Sequence, residues 1–134
     1  MVKALRILIV DDQRRTRQSL KALLATKFQS MEVHEAANGF EAIRCVEEYQ
    51  PAVVLMDARM PELDGIEATR MIKTQSARIP VIVLSMYAEY QAAALAAGAD
   101  AFISKGEPPE QLLAALTSVA NYTEEPESQD DQAL

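Results

Sequence analysis

Short, nearly unbroken apolar runs along this chain are separated by longer stretches in which apolar residues recur every three or four positions. The runs are Leu5 to Val10 (L-R-I-L-I-V), Ala52 to Met56, Pro80 to Leu84 (P-V-I-V-L) and Ala99 to Ser104. Runs of this length suit strands covered on both faces. Met31 to Ala36 alternates apolar and polar instead, which is the pattern of a half-exposed edge strand. The intervening stretches predict helices. The first runs from about Arg14 to Lys27, with Leu20, Leu23 and Leu24 on one face. The second opens at Asn38-Gly39, turns Ala42, Ile43, Val46 and Tyr49 inward, and stops at Pro51. The third opens on Asp64-Gly65-Ile66-Glu67. This reads as a capping box, in which Asp64 bonds free amides and Glu67 reaches back. Its inner face is Ala68, Met71 and Ile72. The fourth is alanine-rich, from Glu89 to Ala97, with Gly98 as its C-terminal cap. The fifth starts at Pro108-Pro109-Glu110 and presents Leu112, Leu113, Leu116, Val119 and Ala120.

Five strand-helix units, with no internal repeat and no linker, predict one α/β domain over residues 1–121. The sheet is parallel and doubly wound, five-stranded, flavodoxin-like, in order 2-1-3-4-5 with helices on both faces. Ligands in such sheets sit beyond the carboxyl ends of the strands, where the strand order reverses. Here that point lies between the first and third strands.

Composition sharpens this picture without changing it. With 134 residues and 49% apolar content, the chain can fill one core. A single cysteine rules out an internal disulfide and fits a reducing compartment. The apolar run at Leu5 is too short for a membrane span or a signal-peptide core, so we expect a soluble cytoplasmic protein with no membrane partner. The net charge of −7 is concentrated at one end: residues 123–134 hold five acids and no base. The body without them carries about −2. We read residues 122–134 as an acidic, disordered tail. No strongly basic patch exists outside the first helix, which argues against direct nucleic-acid binding.

The chemistry collects where the strands end. Asp11-Asp12 follows the first strand, and Asp57, Ser85 and Lys105 stand at the ends of the third, fourth and fifth. The first and third strands are neighbours in the predicted order, so three carboxylates share one pocket with an ammonium and a hydroxyl. Two like charges 4 Å apart repel by about 4 kcal/mol at an effective dielectric near 20. Either one carboxylate takes a proton or a divalent cation binds. Hard oxygen donors and open positions suit Mg²⁺. We expect Asp12 and Asp57 as direct ligands, Asp11 acting through water, and the backbone carbonyl of Arg59 as a further ligand. An ionised Asp57 in that setting is a nucleophile toward phosphorus. Lys105 and the metal neutralise the oxygens of the transferring group, and the Ser85 hydroxyl donates to one of them.

Asp11-Asp12, the segment M-D-A-R-M-P-E-L-D-G, V-L-S at Ser85, G-A-D-A-F from Gly98 to Phe102, and Lys105 together resemble a response-regulator receiver domain of two-component signalling. The resemblance spans residues 5 to about 121. It implies that Asp57 accepts a phosphoryl group from a phosphohistidine on a sensor histidine kinase or phosphotransfer protein. It implies a switch in which Ser85 moves toward the phosphoryl group and Phe102 turns inward. The face of the fourth helix, fifth strand and fifth helix then changes, and that face is the expected homodimer surface. The domain is not an enzyme on other substrates; it promotes only its own phosphorylation and dephosphorylation. The sequence departs from the family pattern at Gly106, where many members have proline, so a cis peptide is not expected there.

The nearest likeness is to receivers that precede a helix-turn-helix DNA-binding domain, so transcription regulation is one expected output. A stand-alone phosphorelay shuttle is the alternative. A Mg²⁺-dependent phosphatase of the haloacid-dehalogenase type needs D-x-D after the first strand, and Asp11-Asp12-Gln13 does not supply it. A flavin or nucleotide module needs a phosphate-cradling loop there, and the two aspartates oppose that. Arg59 and Tyr87 are placed to overhang the pocket and shield a phosphoryl group from water. Arg14, Arg15, Arg17 and Lys21 make the first helix basic, a docking face for an acidic kinase surface. His34 reads as an edge-strand residue and Cys45 as a packed thiol.

Overall fold

A computed structural model of the chain describes residues 4–120. The acidic tail expected from residue 122 lies outside the described residues. Five strands, β1 (Leu5–Val10), β2 (Met31–Ala36), β3 (Val53–Asp57), β4 (Val81–Ser85) and β5 (Ala101–Ser104), form one parallel sheet in the order β2-β1-β3-β4-β5. The helices are α1 (Arg14–Ala25), α2 (Gly39–Tyr49), α3 (Gly65–Gln75), α4 (Gln91–Ala96) and α5 (Pro109–Val119).

The unbroken apolar runs are the central strands, and each is divided between two cores by the two-residue repeat of a strand. Leu8, Val10, Val54, Met56, Val81 and Val83 face α2, α3 and α4. Ile7, Ile9, Val53, Leu55, Ile82 and Leu84 face α1 and α5, where Leu24, Phe28, Leu112 and Leu116 meet them. Every residue of β3 is buried. Burying each large apolar side chain there stabilises by roughly 1.5–3 kcal/mol. β2 is the expected edge strand, only partly buried and paired to β1 alone. Its polar residues serve the edge: His34 stacks on Tyr49 with ring centroids 3.7 Å apart, and its Nε2 meets Glu32 Oε2 at 2.7 Å.

Four local expectations need correction. The fourth helix does not start at Glu89. A single 3-10 turn, Ala88–Tyr90, precedes a six-residue α4. No side chain caps the start of either piece, so the first turn tightens to satisfy its own amides. The last strand is shorter than Ala99 to Ser104, because Asp100 turns aside to accept the Val81 amide at 2.8 Å. α1 ends at Ala25 rather than Lys27, where Thr26 donates its hydroxyl to the Leu23 carbonyl. Asp64 does cap α3, accepting from the Glu67 amide at 2.8 Å, but Glu67 pairs with Arg70 instead of reaching back. The reciprocal cap forms on α2. There Asn38 accepts from the Glu41 amide while the Glu41 carboxylate accepts from the Ala37 amide, both at 2.9 Å. The cap expected at Gly98 is present, with φ +106° and its amide on the Leu95 carbonyl. No cis peptide occurs among the described residues.

Candidate functional site

β1 and β3 lie side by side with Val10 opposite Met56, so the next residues, Asp11 and Asp57, meet at the carboxyl edge. Asp57 is the last residue of β3 rather than a loop residue, and Ser85 likewise ends β4. Both are buried, as is Asp11, whereas Asp12 is exposed. Oxygens of Asp11, Asp12 and Asp57 all lie within 4.8 Å of one another. Lys105, just past β5, is held by its amide on the Ser85 carbonyl at 2.8 Å. Its Nζ reaches Asp11 Oδ2 at 3.1 Å and Asp57 Oδ1 at 3.0 Å. Four residues scattered from position 11 to position 105 therefore converge.

The charges do not balance. Three carboxylates face one ammonium. Burial pushes the Asp57 carboxyl above its ordinary value; Lys105 pulls it back, and repulsion from Asp11 and Asp12 adds to the rise. Burial alone would lower Lys105, but its hydrogen bond and attraction to Asp57, then to Asp11, hold its ammonium above the usual range. The pocket therefore favours additional positive charge. The donor set is all carboxylate, closely spaced and open on the Asp12 side, and it fits a hard divalent cation such as Mg²⁺. Asp11 is the most engaged of the three: its Oδ1 accepts the Gln13 amide at 2.9 Å and its Oδ2 accepts Lys105.

Glycine positions the loop that follows Asp57. A Cβ on Gly65 would lie 1.8 Å from the Asp57 carbonyl oxygen, so only glycine lets the start of α3 press against the backbone of Asp57. The Gly65 amide closes the loop onto the Ala58 carbonyl at 3.0 Å. In the sequence, Gly65 stands out as part of a cap and as the end of the M-D-A-R-M-P-E-L-D-G segment, not as a contact to the Asp57 backbone. On the other side, the Ser85 hydroxyl accepts the Tyr87 amide at 3.0 Å, which leaves its proton to donate. Phe102 sits on β5 opposite Val83, half-buried, and rests on the α4-side core rather than in the pocket. Arg59 and Tyr87 are exposed on the two loops that flank the pocket. Tyr90, which the sequence gave no reason to single out, stands between them. The Arg59 guanidinium carbon is 5.9 Å from its ring centroid, and Tyr87 meets it edge-on.

The basic face of α1 is smaller than expected. Arg17 and Lys21 are paired with Glu35 on β2 at 2.7 and 3.1 Å, and Arg17 also donates to the Asp11 carbonyl. Arg14 and Arg15 remain exposed and without a partner among the described residues. Cys45 is a packed thiol, as expected; burial and the nearby Glu41 and Glu48 push its pKa up, away from reactivity.

Comparison with known proteins gives this geometry a class. The chain matches the response regulator receiver domain family over residues 7–117. It is 41% identical over 111 residues to the transcriptional regulatory protein YhcZ of Bacillus subtilis (strain 168), covering 81% of this chain and 52% of that protein. It is 35% identical to the response regulator MprA of Mycobacterium sp. (strain KMS), over 96% of this chain and 56% of that one. It thus spans about half the length of these relatives. A LuxR-family response regulator from Aurantimonas sp. superposes with a TM-score of 0.83 at 30% identity, covering 89% of this chain and 86% of that one. The receiver domain of a sensor histidine kinase from Pseudomonas aeruginosa superposes with a TM-score of 0.79 at 28% identity, covering 90% of this chain and all of that one. That structure carries a magnesium ion in its active-site cleft. The chain belongs to the response regulator receiver domains, the phosphorylation-activated switches of two-component systems.

No helix among the described residues is long and apolar enough to cross a membrane.

Proposed function

We propose that Asp57 is the phosphoacceptor of this receiver and that the pocket works with Mg²⁺. An Asp57 carboxylate oxygen attacks the phosphorus of a phosphohistidine on a partner kinase or phosphotransfer protein. The phosphorus–oxygen bond forms as the phosphorus–nitrogen bond breaks, and the imidazole leaves with its electron pair and takes up a proton. Lys105 is already within hydrogen-bonding distance of Asp57 and orients the carboxylate. Its ammonium then neutralises an oxygen of the transferred group. The Ser85 hydroxyl, with its proton unspent, donates to another of those oxygens. Asp12 and Asp57 would hold the metal directly, together with the Arg59 backbone carbonyl, and Asp11 would act through water because its oxygens already serve Gln13 and Lys105. The bound cation supplies Lewis-acid neutralisation of the phosphoryl oxygens. Hydrolysis of the resulting acyl phosphate resets the switch. We read no activity on other substrates.

The observation that carries this reading is the Nζ of Lys105 shared between Asp11 and Asp57 in a cluster that remains anionic. Labelling with acetyl phosphate, followed by intact-mass spectrometry, tests it. One phosphoryl group is expected on the unaltered chain with Mg²⁺, and none with Mg²⁺ chelated or in Asp57→Asn. Label persisting in Asp57→Asn overturns the assignment.

For partner docking, a mostly apolar groove of about 230 Å³ runs between α1 and the start of α5, lined by Leu20, Leu23, Ile103, Pro108 and Leu112 among others. It opens beside Lys105, with Arg14 and Arg15 near its α1 side. This supports docking of a histidine-bearing helical partner along α1. The output we propose is transcription regulation, by likeness to YhcZ and the LuxR-family structure. It would be relayed by Ser85 and Phe102 to the face of α4, β5 and α5, through which the phosphorylated form would dimerise. A sizing column run with and without label tests the dimer. A cytoplasmic location follows from the same reading.

A further inference from the structure

We propose that Tyr90 is a positioning residue: its ring holds the Arg59 side chain as a strap from the β3–α3 loop to the β4–α4 segment, beside the acceptor pocket, and so sets how long the phosphoryl group survives. This rests on Asp57 being the phosphoacceptor. Tyr90 ends the 3-10 turn, is half-buried, and packs on the α4-side core, so its ring is anchored from below. The guanidinium carbon of Arg59 lies 5.9 Å from the ring centroid. Tyr87 braces the ring from the side in an edge contact, with centroids 6.1 Å apart at 81°. Arg59 and Tyr90 also line one cleft with Glu62 and Asp64, yet among the described residues neither carboxylate forms an ion pair with Arg59.

Arg59 is two residues past Asp57, and Tyr90 is five past Ser85, so the contact joins the two loops that border the site. A free arginine side chain is spread over many rotamers. A cation resting on an exposed ring favours one placement roughly two- to five-fold. In that placement the side chain narrows the path by which water reaches the acyl phosphate. Removing the ring releases Arg59 and widens the path.

The test follows the decay of Asp57-phosphate after desalting away acetyl phosphate, in Mg²⁺. Tyr90→Leu and Arg59→Ala should each hasten decay roughly two- to five-fold. The double variant should decay no faster than Arg59→Ala alone, and Tyr90→Phe should decay like the unaltered chain. Multiplying effects in the double variant, or Tyr90→Phe decaying as fast as Tyr90→Leu, would overturn the proposal. A second readout needs no substitution: ring current should displace the Arg59 side-chain proton resonances in the unaltered chain, and random-coil shifts there would also overturn it. An unaltered chain that takes no label at all would sink the acceptor assignment, and this proposal with it.

Discussion

Lys73 and Lys105 each reach from one element to an aspartate on another, at opposite rims of the same sheet. Lys73, near the end of α3, donates to the carbonyls of Ala77 and Ile79 at 2.9 Å and to Asp100 Oδ2 at 3.0 Å. That same oxygen accepts the Val81 amide where β4 begins. One ammonium meets one carboxylate, and the remaining donors meet neutral carbonyls. At the other rim Lys105 is shared by two carboxylates, a third stands within 4.8 Å, and among the described residues no second cation pairs with any of the three. The first cluster is complete and ties down the lower edge of the sheet. The second is unfinished, and it is completed only by something from outside. Identical residue types make a closed cluster in one place and an anionic pocket in the other, and the difference is charge balance.

The harshest test of the reactive rim is Gly65→Ala. A methyl group 1.8 Å from the Asp57 carbonyl forces the loop away. Overpacking of this kind costs about 1–3 kcal/mol or more, read by denaturant unfolding, and labelling of Asp57 should fall with it. The two lysines should then separate cleanly. Lys105→Ala should slow labelling roughly 100-fold, the usual loss for one charge-stabilising donor. Lys73→Ala should leave labelling unchanged while costing about 0.5–1.5 kcal/mol of stability for the largely exposed hydrogen bonds it gives up. If both variants lose labelling equally, the contrast fails.

A gentler test uses pH without Mg²⁺. The folded pKa of Asp57 is raised, chiefly by burial, so the folded state binds its proton more tightly than the unfolded one. This group's contribution to stability therefore improves as pH falls through the folded pKa, and it is fully gained below the ordinary carboxylate value. In Asp57→Asn that component disappears, and the variant is the more stable chain at neutral pH. Parallel melting curves for the two chains from neutral to acid pH would count against the surplus of charge. The smallest effect belongs to Arg14 and Arg15. Cations at a helix N-terminus oppose its dipole, and α1 has no acidic residue in its first turn. Replacing each with glutamate should stabilise by about 0.3–1 kcal/mol, while slowing phosphotransfer from a kinase and flattening its salt dependence.

Much of this was legible before any coordinates. The apolar runs give the sheet because parallel strands covered on both faces have no polar side to show, and the carboxyl-edge residues then follow from topology. What stayed hidden depends on contacts between elements that no period encodes. The two-residue repeat puts Glu35 on the face of Met31 and Val33, but nothing in it says that the carboxylate quenches Arg17 and Lys21 across the gap. Gly65 and Glu67 read as one capping unit, but the glycine serves a backbone contact eight positions upstream and the glutamate serves Arg70. Tyr90 falls in a stretch whose alanines suggest a plain helix; the tightened turn that points its ring toward Arg59 comes from missing caps.

Asp57 is rooted at the tip of a strand buried along its whole length, flanked on both sides by paired neighbours. Such a strand exchanges its amides last and has nowhere to travel. As the proposed acceptor it is an anvil, fixed while the blow lands. Displacement must be taken up by the lightly built side of the domain, where a six-residue helix and the half-covered β5 offer little resistance. That asymmetry gives the message a direction before any partner arrives to read it.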